Sequence, residues 1–323
     1  MKKKIFLDVK NPVNQLSLYG YNLYFDIFRK LFNDKKIPNI ILLNGPKGIG
    51  KSTFIHHLIN YIVSLDEDKK YNIVDKKINQ DNRSYNLICN NLHPNFFSLT
   101  TNSEKKDIKV DEVRSLLKFL YKSSYSLNEK YVLIDSADKL NLNSSNSLLK
   151  IIEEPPINTF FFIINDSKRK ILPTIKSRAF EFKIFLTFKD KKNILANIIK
   201  DYNVDIDISE AMQKFYFDTP GNILKYSLLM SNSNLNLNEE THDLIFHFID
   251  LYKKEKNTEI LDFISILIEI FYNKLYIKDN KNLNRYSFNK TKISTFFKDM
   301  KKYNLNESNV FFNITDILKN EIR

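Results

Sequence analysis

Nine consecutive residues carry the strongest chemical signal in the sequence. They fit the phosphate-binding pattern G-x-x-x-x-G-K-[ST] and are Gly45, Pro46, Lys47, Gly48, Ile49, Gly50, Lys51, Ser52 and Thr53. In such a loop, backbone N–H groups and a helix N-terminus surround a phosphate anion. We expect Lys51 to reach the β- and γ-phosphates of ATP or ADP and the Ser52 hydroxyl to ligate Mg²⁺. A turn that binds nothing is the alternative.

The flanking residues predict the strand and helix that must position this loop. Ile40–Leu43 is a short apolar run typical of a buried parallel strand, and apolar residues recur at helical spacing within Phe54–Ile62. Two further apolar runs, Tyr131–Ile134 and Phe160–Ile164, are also too short for helices and predict central strands. Alternating strands and helices over residues 1–185 predict an α/β P-loop core, with a parallel sheet flanked by helices.

The sequence changes in character after about residue 185. Short amphipathic segments predict a small helical region over residues 186–235, and longer ones predict an all-α domain over residues 236–323. Within the core, the charged and polar segment Asp66–Arg83 predicts an exposed insertion.

An aspartate stands where the strand Tyr131–Ile134 ends. Asp135, at the tip of a parallel strand beside a phosphate loop, is a candidate Mg²⁺ ligand together with Ser52. A hydrolytic enzyme of this kind usually has glutamate next, to activate the attacking water. Here Ser136 follows, and a serine hydroxyl is a poor general base at neutral pH. The sequence therefore predicts a site that holds nucleotide without cleaving it well.

Composition narrows the function classes. A net charge of +12 permits nucleic-acid contact, but the lysines are dispersed, so charge alone is weak support. The single cysteine, Cys89, excludes internal disulfides and a cysteine-cluster zinc site. Without a long apolar stretch or signal-peptide pattern, the chain is predicted to be cytoplasmic with no membrane contact.

Three strings of residues resemble the clamp-loader branch of AAA+ proteins. They are Ile134–Leu140, Asn146–Pro156 with its Leu-Leu-Lys-x-x-Glu-Glu-Pro-Pro pattern, and Leu172–Ala179, where Ala179 replaces the usual cysteine. With weaker similarities upstream, the resemblance covers residues 11–185 in order. It implies an AAA+ core, a helical lid, and a C-terminal collar that serves oligomerisation.

Within this branch, the chain is most similar to the delta-prime subunit family of the bacterial DNA polymerase III clamp loader. It lacks three features of the ATP-hydrolysing members: the glutamate at Ser136, the zinc-binding cysteines, and the second-sensor arginine, whose position falls near Leu224. The resemblance implies a non-catalytic or weakly hydrolysing component of the DNA polymerase III holoenzyme. Its implied partners are gamma/tau and delta subunits, a sliding clamp, and primed DNA through the assembled complex.

Two further site residues follow from the resemblance. Arg178 would be an arginine finger that acts in trans on ATP bound by the neighbouring subunit; a local salt bridge or a helix cap is the alternative. Asn165 would read the γ-phosphate as a first-sensor residue; capping of the strand end is the alternative.

Three other functions stay open from the sequence. An ATP-hydrolysing gamma/tau-type subunit shares the motifs, but Ser136 argues against it. A P-loop small-molecule kinase would leave Glu153–Pro156 and the helical C-terminal half unexplained. A nucleic-acid-binding module would use the positive charge, although no stacking motif is visible.

Overall fold

The computed structural model describes residues 10–100, 108–121, 129–140, 142–202, 206–279, 281–303 and 305–322. The chain divides into two compact units. One contains the described residues up to Ile208 together with Phe217–Leu224, and the other contains residues 209–216 and 225–322. The predicted boundaries at 185 and 235 stay a prediction.

The first unit is built on a parallel sheet of five strands. They are β1 (Ile40–Gly45), β2 (Phe96–Leu99), β3 (Lys130–Ile134), β4 (Thr159–Asp166) and β5 (Phe180–Lys183), in the order β2-β3-β4-β1-β5. The three predicted strands are confirmed as β1, β3 and β4. The sequence missed β2 and β5, because four residues at a sheet edge give too little periodicity to recognise.

Helices cover both faces of this sheet, as predicted. On one face lie α1 (Asn22–Asn33), α2 (Lys51–Val63) and α3 (Arg83–Cys89), and on the other lie α4 (Val110–Tyr121), α5 (Leu142–Glu153) and α6 (Pro173–Lys176); α7 (Phe188–Tyr202) follows the last strand.

Alternate residues of the central strands enter two separate hydrophobic cores, because successive strand side chains point to opposite faces. One core joins the sheet to α1 and α2 and includes Phe25, Phe28, Leu43, Phe54, Leu58, Leu133 and Phe162. The other joins it to α4 and α5 and includes Leu42, Leu116, Leu120, Val132, Leu148, Ile151 and Ile163. The central strands are therefore buried on both sides, which explains their continuous apolar sequences.

The segment Asp66–Arg83 corrects one expectation. Tyr71 and Ile78 are buried in the core formed with α1 and α2, so the segment is not simply an exposed insertion. Asn82 is fully buried, and its Oδ1 accepts a 2.6 Å hydrogen bond from the Tyr85 amide, which caps α3. Because most residues of this segment are charged or polar and its apolar residues follow no period, the sequence did not predict that Tyr71 and Ile78 are buried.

The second unit is helical throughout its described residues. It contains most of α8 (Ile208–Lys214) and α9 (Pro220–Asn232), followed by α10 (Thr241–Glu255), α11 (Thr258–Lys278), α12 (Leu283–Tyr303) and α13 (Glu307–Ile322). The predicted all-α C-terminal region is therefore confirmed. Arg285 on α12 pairs with the buried Glu321 of α13 at 3.1 Å, which joins the last two helices. In the part of the chain described, no helix has the length and apolar character needed to cross a membrane.

Helix α2 buries two adjacent histidines, His56 and His57. The His57 Nε2 lies 2.9 Å from the Gln15 carbonyl oxygen, and its Nδ1 lies 3.0 Å from the Tyr71 hydroxyl. A neutral ring satisfies both contacts, with Nε2–H donating and Nδ1 accepting. Burial lowers the pKa of His56 to about 4 and that of His57 to about 3.

These two histidines predict a loss of stability in mild acid. The unfolded chain takes up protons near pH 6.5, whereas the folded chain resists protonation at both sites. Stability is therefore complete above pH 6.5 and falls as the pH drops toward 4. Between pH 7 and pH 5 each histidine should remove about 2 kcal/mol from the free energy of unfolding. Urea unfolding at several pH values measures this dependence.

His57→Gln should reduce that dependence by about half, because glutamine cannot be protonated in this range and His56 still contributes its share. His247→Gln, at an exposed position on α10, is the matched control and should retain the wild-type slope. Equal slopes for His57→Gln and the wild type would contradict the prediction.

Candidate nucleotide-binding site

The phosphate-loop segment connects β1 to α2 across the carboxyl edge of the sheet. Gly48 and Gly50 have φ angles of +81° and +103°. These values lie in the region that side chains strongly disfavour, so glycine is required for the chain to turn here. The loop therefore has the strand–turn–helix setting that the motif needs, and it brings the N-terminus of α2 to the strand ends.

Lys51 is buried, and its ammonium group is bound by the loop itself. Nζ donates to the carbonyl oxygens of Gly45 and Pro46 at 2.6 and 2.8 Å. Burial lowers its pKa to about 8, and the favourable charges of three aspartates oppose that shift: Asp166, Asp135 and Asp138. The lysine thus lies at the centre of an acidic set contributed by the ends of β3 and β4 and the turn after β3.

Ser52 and Asp135 are brought together as predicted. The Ser52 hydroxyl hydrogen-bonds to the Asp135 carboxylate, whose pKa is raised mainly by burial. These are hard oxygen donors of the kind Mg²⁺ prefers, so the pair fits that ion. No group of three or more metal-binding side chains occurs in the described ranges, so a Mg²⁺ ion here would need water and phosphate oxygens as well.

Ser136 follows Asp135 in a left-handed conformation, with φ of 66° and ψ of 56°. Its hydroxyl lies 3.4 Å from the Asp135 Oδ1. The side chain that replaces the usual glutamate is therefore directed to the neighbouring carboxylate. It adds a weak hydrogen bond to a candidate metal ligand and brings no base of its own.

Asn165 lies in β4, next to Asn44 of β1 in the strand register. Its Nδ2 donates to the Asn44 Oδ1 at 3.2 Å and to the Asp166 carbonyl oxygen at 3.0 Å. The side chain is buried, and its Oδ1 has no hydrogen-bond partner among the described atoms. These contacts are local and fit the strand-end role. The first-sensor role of Asn165 stays a prediction.

Residues at the start of α9 and a tyrosine donate hydrogen bonds to backbone carbonyls on the outer side of the loop, an arrangement that we call the clamp. The Gly221 amide donates to the Gly48 carbonyl at 3.1 Å, and the Thr219 hydroxyl donates to the Lys47 carbonyl at 2.9 Å. On the other side, the Tyr21 hydroxyl donates to the Ile49 carbonyl at 3.0 Å. With the two carbonyls bound by Lys51, these contacts fix the backbone orientation across the loop.

This clamp was not predicted from the sequence. The available signals were the rarity of glycine, since Gly221 is one of five in the chain, and its place at the start of the helix that the resemblance implies for the second-sensor position near Leu224. A Cβ on Gly221 would lie 2.6 Å from the Gly48 oxygen, so the backbones approach too closely for any larger residue.

An unpredicted ion pair links the turns after β3 and β4. Arg169 Nη1 lies 3.0 Å from the Asp138 Oδ2, and the Asp138 side chain is almost completely buried. Asn165 also donates to the Arg169 carbonyl oxygen at 3.4 Å. Arg169 therefore joins the segment that carries Asp135 to the strand that carries Asn165.

Arg178 forms a local ion pair. Its Nη2 lies 2.8 Å from the Glu153 Oε1 at the end of α5, and its Nη1 donates to the Thr174 carbonyl at 3.1 Å. The arginine side chain is 38% exposed, so part of the guanidinium faces solvent. The local salt bridge considered from the sequence is present. The role of Arg178 in trans stays a prediction.

Comparison with known proteins assigns the family. The profile described as "DNA polymerase III, delta subunit" matches residues 22–187, which is 166 of the 323 residues. The chain belongs to this DNA polymerase III delta-subunit family. The match includes the phosphate loop, Asp135, and the two strings joined by the Glu153–Arg178 pair.

Individual relatives agree with that family. A DNA polymerase III subunit delta' of Pseudomonas aeruginosa is 34% identical over 137 residues, covering 42% of this chain and 40% of that protein. A subunit delta' of Buchnera aphidicola subsp. Baizongia pistaciae is 28% identical, covering 74% and 63%. A subunit gamma of Buchnera aphidicola subsp. Schizaphis graminum is 28% identical, covering 66% and 58%.

The matched stretches span between 40% and 63% of the first delta' relatives' own length. Among solved structures, a DNA polymerase III gamma subunit-related protein of Thermotoga maritima aligns with a TM-score of 0.47 at 16% identity. That alignment covers 93% of this chain and 99% of the other.

The glycine contact predicts that Gly221→Ala destabilises the protein. Alanine has a higher helix propensity than glycine, so this change would stabilise α9 if the close contact were absent. Here the added methyl group meets the Gly48 carbonyl, and relief requires a backbone shift. We expect a loss of about 1–3 kcal/mol in the free energy of unfolding, measured by urea titration. Ser231→Ala, exposed near the end of α9, is the control and should be neutral. A stabilised Gly221→Ala variant would show that the contact is not tight.

Proposed function

We propose that the chain acts as the delta-prime subunit of a bacterial DNA polymerase III clamp loader, which places a sliding clamp on primed DNA. Support comes from the family assignment and from delta' relatives that align with up to three quarters of this chain. The proposed partners are gamma/tau and delta subunits, which the gamma relatives also favour. In this proposal the helical C-terminal region serves assembly.

One observation carries the choice of a non-hydrolysing role. Ser136 occupies the position after Asp135, and its hydroxyl contacts that carboxylate. In this proposal Lys51, Ser52 and Asp135 would bind phosphate and metal, and the base that activates water is missing. In the proposed role the chain binds ATP or ADP with Mg²⁺ modestly and contributes structure, together with Arg178, to the ring.

Nucleotide binding should depend on Lys51. Replacing it with alanine removes the cation expected to reach the β- and γ-phosphates and leaves the Gly45 and Pro46 carbonyls without their donor. We expect Mg²⁺–ATP or Mg²⁺–ADP to bind the wild type and to bind Lys51→Ala at least tenfold more weakly, a difference of about 1.4 kcal/mol. Titration calorimetry measures both. Lys36→Ala, an exposed lysine outside the site, is the control. Equal heats for wild type and Lys51→Ala would exclude the loop from binding.

A gamma-type ATPase is the second candidate, because gamma subunits are among the relatives. The two functions differ in turnover by the isolated chain. We expect steady-state phosphate release far below about 1 per second, the lower range of working enzymes, because no base follows Asp135. A rate at or above that value, lost in Lys51→Ala, would favour the gamma-type function.

Arg178→Ala should leave the chain folded and able to join the complex, because a half-exposed ion pair contributes little to stability. It should lower the DNA- and clamp-stimulated ATPase of the assembled loader, by up to roughly 10³-fold at the affected site. Arg178→Lys should rescue poorly, because lysine keeps the charge but loses the planar fork. Hydrolysis is measured at matched assembly. Full activity of the alanine variant would restrict Arg178 to its local ion pair.

A further inference from the structure

Two strings that are separate in the sequence meet at one ion pair. Glu153 is the last residue of α5 and opens the Glu-Glu-Pro-Pro string, and Arg178 follows the short helix α6. The pair joins the Arg178 Nη2 to the Glu153 Oε1 at 2.8 Å. The Nη1 of the same guanidinium donates to the Thr174 carbonyl at 3.1 Å. A weaker contact joins Nη1 to the Ser177 Oγ at 3.5 Å, so the guanidinium is held by acceptors from two different segments.

The exposure of this pair argues against a main role in folding. The side chains of Arg178 and Glu153 are 38% and 46% exposed, and exposed ion pairs contribute little to stability. What the pair does restrict is the orientation of a long side chain with many rotamers. A guanidinium that is already oriented loses less freedom when it binds a phosphate.

The hydrogen-bonding capacity of arginine allows this restraint and a phosphate contact together. A guanidinium has five N–H donors in a rigid fork, and the contacts to Glu153, Thr174 and the Ser177 Oγ at 3.5 Å all come from Nη1 and Nη2. The remaining donors can meet phosphate oxygens. Glu154, the next acid of the same string, forms no ion pair within the described part of the chain, which gives a closely matched comparison.

We propose that Glu153 is a positioning residue that holds the Arg178 guanidinium in the orientation used to contact the phosphates of nucleotide bound by an adjacent subunit. This inference rests on the proposed function of Arg178 and adds a specific role for the first acid of the Glu-Glu-Pro-Pro string. Glu153 acts only through Arg178 and touches no substrate.

The test uses loaders reconstituted from the full-length chain with its gamma/tau and delta subunits, at matched assembly. Stimulated ATP hydrolysis is measured for Glu153→Gln and Glu154→Gln, each in the wild-type and the Arg178→Ala backgrounds. Glu153→Gln should lower kcat by about tenfold at the affected site with little change in KM, because orientation rather than ATP binding is lost. Glu154→Gln should match the wild type. Glu153→Asp, which keeps the charge, should recover part of the loss.

The Arg178→Ala background separates positioning from other roles. There, Glu153→Gln should cause no further loss, since the residue that it positions is gone. The same loss in both backgrounds, or equal activities for Glu153→Gln and Glu154→Gln, would overturn the inference. Full activity of Arg178→Ala alone would instead overturn the proposed role of Arg178, on which this inference rests. Thermal unfolding of each variant checks the fold, and Glu153→Asp decides the result if the glutamine variant unfolds.

Discussion

The burial of one ammonium group constrains the whole site. Removing the Lys51 charge from water is costly, and it is tolerated only because two loop carbonyls and the acidic residues nearby compensate it. These groups come from the ends of β1, β3 and β4 and the turn after β3, so the parallel sheet must gather them at one edge. The loop glycines allow the chain to turn around the ammonium group. The buried strands and the two cores hold the strand ends in fixed positions beside it.

The sequence predicted the central strands and the residues at their ends better than the edge strands and the connecting segments. Long apolar runs identified β1, β3 and β4, and motif spacing identified Lys51, Ser52 and Asp135 as neighbours. The edge strands β2 and β5 were not predicted, because four residues are too few to show a periodic hydrophobic pattern. The burial of Tyr71 was not predicted, because it depends on contacts with α1 and α2 that cannot be recognised from the local sequence.

The sequence did not name the partners of two ion pairs that join turns beside the site. The Asp138–Arg169 pair and the Glu153–Arg178 pair each connect segments that lie far apart along the chain. Each of these four charged residues, taken alone, is typical of a solvated surface. Because only the fold brings the partners together, the sequence does not identify the pairs. Both pairs lie beside residues with predicted roles, so the missed contacts describe how the site is held rather than which groups it contains.

The close contact of Gly48 with Gly221 has an evolutionary consequence. The loop supports the first turn of α9 through its outer carbonyls, independently of any phosphate on its inner side. Selection for correct folding therefore acts on these glycines as strongly as selection for nucleotide use. A lineage that gave up hydrolysis would still be selected to keep the loop glycines, because losing their contact would lower the stability of the fold. In such a protein, the phosphate-binding motif is retained as part of the architecture.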